Sequence, residues 1–158
     1  MSNTNPSHIP NGTTDAAKAK LQPVPKLIRA EAYRDYLASL GYTAEVDEVG
    51  LVTFTADGRK YWLMPNETWD NSLLIAAAYN IATVTKHADR ARTAIIAGNV
   101  TNDMPYVYVW LDQNGKVHAV AELHLSDPFN LHDGFAERFS ELKTAVERFT
   151  TQLSETTA

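Results

Sequence analysis

The chain has 158 residues, of which 44% are hydrophobic, and its formal net charge is −5. This length suits one domain with an ordinary core. The absence of cysteine excludes disulfides, thiol nucleophiles, iron–sulfur clusters and thiolate zinc sites. An excess of 19 acidic over 14 basic residues argues against nucleic acid as a partner. No apolar run approaches the roughly 20 residues of a membrane helix, so we expect no membrane partner either.

The first 25 residues differ in composition from the rest of the chain. They are rich in Asn, Thr, Ser, Pro and Ala and carry only isolated aliphatic residues. Such a segment buries too little apolar surface to offset its ordering entropy, so residues 1–25 are predicted to form a disordered arm. They lack the apolar stretch of a secretory signal, and we therefore expect a cytoplasmic protein. Residues 26–153 are predicted to form one domain, and residues 154–158 a flexible C-terminal fringe.

The first half of the domain predicts one helix and three short strands. Pro25 suits the first position of a helix, and Gly41 suits the position after its end. Between them, apolar residues recur at helical spacing, namely Ile28, Ala32, Tyr33, Tyr36, Leu37 and Leu40. Strands are then predicted over residues 42–48, 51–56 and 59–64. The tight turns between them contain Val49-Gly50 and Asp57-Gly58, and Pro65 ends the third strand.

The segment of residues 72–81 is compatible with a strand or with the start of a helix. A single helix over residues 72–97 is possible, but residues 79–85 are poor in helix formers. We favour a strand followed by a helix that begins near Thr85 and ends at Gly98. The residues expected on the inward face of that helix are Ala88, Ala91 and Ile95.

The second half predicts a hairpin and the longest helix. Strands over residues 106–111 and 116–125 flank a loop that contains Asn114-Gly115. Asn130 is then expected to cap a helix whose apolar stripe is spaced 4, 3, 4, 3, 4. That stripe consists of Phe135, Phe139, Leu142, Val146, Phe149 and Leu153. The element order α-βββ-β-α-ββ-α predicts an α+β domain with a mainly antiparallel sheet.

The residues that suggest chemistry do not assemble into a site. His118, Glu122 and His124 share one face of a predicted strand, but the two histidines are about 20 Å apart at strand rise, too far for one metal centre. The dipeptide His132-Asp133 occurs in metal-dependent phosphohydrolases, but the separated ligands of such a site are not evident. No phosphate-binding glycine loop or G-x-S-x-G motif is present. We expect no catalytic residues, metal ligands or cofactor.

One predicted sheet face carries unusually many large apolar side chains. Tyr106, Tyr108 and Trp110 alternate along one strand, and Trp62 and Met64 alternate in the same way along another. If the helices share out both sides of the sheet, these residues belong to the core. If the helices cover only one side, the residues form a dimer or partner surface, for which tyrosine and tryptophan are favoured. These five residues are the predicted binding residues.

Four segments resemble the YbjN-like domain family. They are LGYTAEVDEVGLVTF at residues 40–54, GRKYWL at 58–63, YVYVWLDQNGKV at 106–117 and AELHL at 121–125. Together with the element order, the resemblance covers residues 26–153. It implies a curved antiparallel sheet with flanking helices, as in type III secretion chaperones, a homodimer and no catalytic residues. Some members of the family are described as sensory-transduction regulators.

From the residues and the resemblance we predict a non-enzymatic domain that binds a protein or peptide client, as a homodimer. A small-molecule sensor with a pocket walled by Trp62, Trp69 and Trp110 is an alternative of another class. An acidic immunity or antitoxin protein also fits the net charge of −5. A metal-dependent hydrolase would need a set of ligands that the sequence does not offer.

Overall fold

The computed structural model describes residues 26–65, 72–77 and 81–155, which form three helices and a seven-stranded sheet. The helices are α1 (Lys26–Ser39), α2 (His87–Asp103) and α3 (Phe135–Glu155). The strands are β1 (Ala44–Val46), β2 (Val52–Ala56), β3 (Arg59–Pro65), β4 (Ser72–Ala77), β5 (Ala82–Thr83), β6 (Val107–Leu111) and β7 (Lys116–His124). The predicted arm of residues 1–25 and the last three residues of the predicted fringe lie outside the described part.

The sheet is antiparallel throughout its described strands, as the short turns predicted. β1, β2, β3 and β4 pair in sequence order, and β4 then pairs with β7. β5 pairs with the first residues of β7, and β6 pairs with its middle. Because Val117 is paired with both Ala82 and Leu111, β5 and β6 must lie on opposite sides of β7. Among the described strands, β1, β6 and the two-residue β5 therefore each pair on one side only.

The ambiguous segment is a strand, as we favoured. Ser72–Ala77 forms β4 in the middle of the sheet, and a short continuation, β5, lies on the same side of β7. Leu73 and Ile75 are fully buried, which explains the continuous apolar run in the sequence. Residues 78–80 lie outside the described part of the chain.

All three helices pack on one face of the sheet. α1 lies against β1 and β2, α3 against β4, β6 and β7, and α2 beside β6 and α3. Alternate strand residues point into this layer, and they are buried in a single core cluster with the helices. The largest core members include Tyr33, Phe54, Phe135, Phe149, Leu37, Leu63 and Leu142. The core is therefore one-sided.

The apolar stripe of α3 is confirmed, but its predicted beginning is wrong. Phe135, Phe139, Leu142, Val146 and Phe149 are all buried. The helix begins at Phe135 rather than at Asn130, because Gly134 has a φ of 93° and interrupts helical geometry just before it. The side chain of Asn130 accepts a hydrogen bond from the N–H of His132 in the preceding turn, so it does not cap α3.

The helix α2 departs from two predictions. It continues through Gly98 to Asp103, and Gly98 has no positive φ, so this glycine is not a helix stop. Its buried face is formed by Thr93, Ile96, Ala97 and Val100. Ile95 is 64% exposed, and Ala88 and Ala91 are exposed as well, so the inward face was assigned to the wrong side.

The edge strand β6 is protected by a side chain of α2. The hydroxyl of Thr101 accepts a hydrogen bond from the N–H of Val109 at 2.8 Å and donates one to the Val109 carbonyl at 3.1 Å. These two backbone groups would otherwise be open to another strand. The edge of β6 is therefore closed at its centre.

None of the three helices between residues 26 and 155 is long and apolar enough to cross a membrane.

Candidate functional site

The sheet face opposite the helices carries a patch of apolar side chains, and none of the three described helices packs on it. Strand alternation places seven apolar side chains there that do not belong to the core cluster. These side chains, which we call the aromatic face, are Trp62, Met64, Leu74, Ala76, Tyr108, Trp110 and Val120. Tyr108 is 48% exposed and Trp110 is 44% exposed. A sheet face this apolar, with half-exposed aromatic rings, is the kind of patch that marks an interaction site.

The strand register gives the aromatic face the shape of a trough. Trp62 lies opposite Ala76, Ala76 opposite Val120, and Val120 opposite Tyr108. Three strand spacings of about 4.8 Å separate the outer two positions, so the walls stand roughly 14 Å apart at their backbones. The floor between them consists of the small residues Ala76 and Val120. A cavity of about 270 Å³ lies in the trough and is bordered by both Trp62 and Trp110.

The ring of Trp110 is held by polar partners at the end of the β6–β7 hairpin. It stacks on His118 with the ring centroids 5.2 Å apart and an angle of 24° between the planes. His118 Nε2 lies 3.0 Å from Asp112 Oδ2, and the other oxygen of Asp112 accepts hydrogen bonds from the N–H groups of Asn114 and Lys116. The hydrogen bond from His118 is the main reason that the pKa of Asp112 is lowered. This arrangement fixes the orientation of one wall of the trough.

Tyr106 does not share the aromatic face with Tyr108 and Trp110. It precedes β6 with a φ of 64°, a left-handed conformation that turns its side chain out of the strand alternation. Its ring lies 4.4 Å from the guanidinium carbon of Arg138, a residue of α3 on the helix side of the sheet. Of the five predicted binding residues, the structure therefore brings together Trp62, Met64, Tyr108 and Trp110.

The polar residues of β7 lie on the same face of that strand as Val120, before and after it along the floor of the trough. His118, Glu122 and His124 share its face, as predicted, but they are held by different neighbours. The buried Ser72 hydroxyl donates to Glu122 at 3.0 Å, and His124 Nε2 lies 3.7 Å from the same carboxylate. In the described ranges, no three His, Asp or Glu side chains gather into a metal-binding group.

The dipeptide His132-Asp133 lies on the helix side of the molecule, before α3. The His132 ring packs edge-on against Tyr36 of α1, with centroids 4.3 Å apart. Asp133 accepts a hydrogen bond from the Ser126 hydroxyl at 2.7 Å. Both residues thus make local structural contacts away from the aromatic face.

Three residues of the trough were not singled out from the sequence. Leu74, Ala76 and Val120 occupy its floor and flank, and all three lie in strands that had been predicted. The alternation within each strand was readable, but the pairing of β4 with β7 was needed to place them beside Trp62 and Tyr108. Trp69, which we considered as a third pocket wall, lies outside the described residues.

Comparison with known proteins identifies the fold. No protein-family model matches the chain, and no curated protein matches it in sequence. The crystal structure of YbjN from E. coli, described as a candidate transcription regulator, is similar with a TM-score of 0.57 and 11% identity. The match covers 77% of this chain and 91% of that one. At this identity the likeness concerns the fold alone, and the chain has a YbjN-like α+β fold.

Proposed function

We propose that this protein is a non-enzymatic, cytoplasmic binding domain of regulatory or chaperone-like type. Its aromatic face binds a protein partner, and the partner that we propose is a second copy of the chain. The observation that carries the proposal is the one-sided core, because it leaves Trp62, Tyr108 and Trp110 on a face that none of the described helices covers. Tyrosine and tryptophan in such positions are the usual anchors of protein interfaces.

Pairing of two copies through their faces is favoured over pairing through their strand edges. The Thr101 hydroxyl already satisfies the outward backbone groups of Val109 in β6. The other strands with an open edge, β1 and β5, have only three and two residues. A strand-to-strand dimer would therefore find little free backbone to pair with, whereas the trough offers a continuous apolar surface.

A non-enzymatic role is supported by the partners of the polar side chains on the outer face. His118 is engaged by Asp112 and Trp110, and Glu122 by Ser72 and His124. These contacts orient the walls and sides of the trough. They do not place a nucleophile beside a base, or a pair of carboxylates around a common centre.

The test is the oligomeric state of the full chain and its Trp110→Ala variant, measured by sedimentation velocity over a range of micromolar concentrations. We expect the wild type to dimerise and the variant to dissociate with a Kd at least about tenfold higher, because a central aromatic anchor contributes about 2 kcal/mol or more. The free energy of unfolding should fall by only about 1 kcal/mol, since Trp110 is half-exposed.

The matched control is Ile95→Ala, which truncates another exposed apolar side chain, on α2, far from the aromatic face in the fold. It should leave the Kd of the dimer unchanged. A wild type that remains monomeric at the highest concentration would contradict the dimer. A Trp110→Ala variant that dimerises as strongly as the wild type would exclude the aromatic face as the interface.

The cavity between Trp62 and Trp110 supports a second candidate, a sensor domain that binds a small molecule. Its volume of about 270 Å³ is close to the lower end of ordinary ligand pockets. In that case Trp110→Ala would abolish binding of a ligand that co-purifies with the protein and is identified by native mass spectrometry. The wild type would sediment as a monomer, in contrast to the first candidate.

A further inference from the structure

A second cavity lies on the helix side of the molecule, where α2 begins beside the end of α3. It has a volume of about 210 Å³. The segment that leads into α2 forms one wall, the first turns of α2 another, and Leu153 of α3 a third. Its lining residues from the first two walls are Thr83, Val84, Thr85, Lys86, Asp89, Arg92 and Thr93. The cavity is smaller than the roughly 300 Å³ at which drug-sized pockets begin, so it suits only a small molecule.

Arg92 is the unusual residue of this cavity. Its Nε and Nη2 atoms are both buried, and neither has a hydrogen-bond partner. These two nitrogens form the edge of a guanidinium that binds a carboxylate with two parallel hydrogen bonds. Buried donors of a charged group without partners are destabilising, and in native structures such groups call for a specific explanation. Because both nitrogens have almost no accessible surface, they meet an anion in the cavity only after the Arg92 side chain turns toward it.

The charges around the cavity indicate the class of anion. Lys86 and Arg92 contribute two positive charges, and Asp89 contributes one negative charge. The surplus of one positive charge matches a monoanion. A phosphate dianion has one more negative charge, and the Asp89 carboxylate would repel it. Val84 and Leu153 provide apolar walls next to these charges. The cavity therefore combines a place for a carboxylate with a place for a short hydrocarbon chain.

We propose that this cavity binds a small monocarboxylic acid with a short apolar chain. The carboxylate pairs with the Nε–Nη2 edge of Arg92, which reaches it by a change of the terminal torsion angles of this flexible side chain. Lys86 lies at the same cavity and adds a second positive charge, while the hydrocarbon chain packs against Val84 and Leu153. This inference concerns the helix side of the molecule and is independent of the aromatic face.

The test is titration of the ¹⁵N-labelled full chain with sodium hexanoate, followed by the backbone amide shifts in NMR spectra. We expect saturable shifts centred on residues 83–93. In Arg92→Gln the Kd for hexanoate should rise at least tenfold, while the apo melting temperature stays equal to or above that of the wild type, because unpartnered buried donors have been removed. Lys86→Gln, which alters an exposed side chain, should raise the Kd by a smaller factor.

The matched control is Arg34→Gln on α1, which removes one positive charge far along the chain from the cavity and should leave the Kd unchanged. Hexan-1-ol and sodium phosphate test the chain and the charge separately, and both should bind at least tenfold more weakly than hexanoate. The proposal is overturned by a lack of saturable shifts, by shifts centred on Trp62 and Trp110, or by phosphate binding more tightly. An unchanged Kd in Arg92→Gln would overturn it as well.

Discussion

Gly115 illustrates how one residue joins two distant parts of the chain. It lies in the β6–β7 loop with a φ of 80°, and its carbonyl accepts a hydrogen bond of 2.7 Å from the N–H of Val84. A Cβ atom at this position would collide with the backbone carbonyl of Val84. Gly58, in the β2–β3 turn, has a similar φ of 72°, but a Cβ there would meet nothing within 4 Å.

The two glycines form a matched pair for a stability measurement. We expect Gly115→Ala to lower the free energy of unfolding by about 3 kcal/mol or more, from the left-handed backbone and the backbone collision together. Gly58→Ala should cost about 1 kcal/mol, because only the backbone conformation is strained. Urea denaturation of both variants measures the difference. Equal losses would show that the close approach to Val84 is relaxed without cost.

Tyr33 links α1 to the segment that precedes α3. Its ring is buried, and its hydroxyl donates a hydrogen bond of 2.6 Å to the carbonyl of Pro128. Burial raises the pKa of Tyr33 to about 12, outweighing the lowering effect of Arg29. An unfolded tyrosine ionises near pH 10, so the folded state binds more protons than the unfolded state between pH 10 and 12.

This raised pKa predicts how stability changes in alkali. The contribution of Tyr33 is complete below pH 10 and is lost as the pH rises from 10 to 12. Tyr33→Phe should be less stable than the wild type by about 1 kcal/mol at pH 8, through the lost hydrogen bond. The difference between the two proteins should shrink from pH 10 upward. Urea midpoints measured at pH 8, 10 and 11 check this, and a constant difference would contradict it.

Among the elements, the hairpin strands and α3 are readable from the sequence because their patterns are unambiguous. Asp57-Gly58 and Asn114-Gly115 mark turns. The apolar residues from Phe135 to Phe149 recur at helical spacing, so they form one continuous apolar face of α3. α2 offers no such contrast, since alanine and isoleucine occur on several of its sides. Its buried side is decided by its position beside β6 and α3, which only the tertiary structure supplies.

Gly98 shows why a residue type alone does not end a helix. A glycine stop requires a positive φ at that residue, as at Gly41, where φ is 85° and α1 ends. Gly98 keeps helical geometry, and α2 continues because Val100 is buried in the core and Thr101 bonds to β6. Contacts made after the glycine therefore determine how far α2 extends.

The contact between α2 and β6 gives a prediction at the scale of elements. Thr101→Val replaces the hydroxyl that satisfies both backbone groups of Val109 with a methyl group of similar size. We expect a loss of about 2–3 kcal/mol in the free energy of unfolding, because two part-buried backbone groups lose their partner. Faster hydrogen–deuterium exchange at the Val109 amide should accompany it. Both are measured on the purified variant.

Thr144→Val is the control for this substitution. The hydroxyl of Thr144 is exposed and donates only to the Ser140 carbonyl within α3. Its loss should change the free energy of unfolding by less than about 0.5 kcal/mol. If both variants lose the same stability, Thr101 does not protect the edge of β6.

The candidate site was predictable in part, for a reason that concerns the whole molecule. Alternation along single strands identified Trp62, Met64, Tyr108 and Trp110, since that pattern is local. Whether the face is core or surface depends on which side the helices take, and the sequence left both arrangements open. Tyr106 was misplaced because its left-handed backbone breaks the alternation on which the prediction relied.

At the scale of the molecule, the two faces of the sheet differ in how strongly their side chains affect folding. The inner face is close-packed with α1, α2 and α3, so a change of volume there disturbs the fold. The outer face holds Trp62, Trp110 and their neighbours, and no described helix packs on them. Substitutions on that face should alter the proposed binding while leaving the melting temperature within a few degrees of the wild type.

The one-sided arrangement therefore makes the outer face adaptable. A protein whose binding residues also hold its core cannot change its partner without risking its folding. Under the proposed function, the same helices and the same inner residues would support a different set of side chains on the trough, and so a different partner. The scaffold is suited to acquiring new specificities by surface substitution alone.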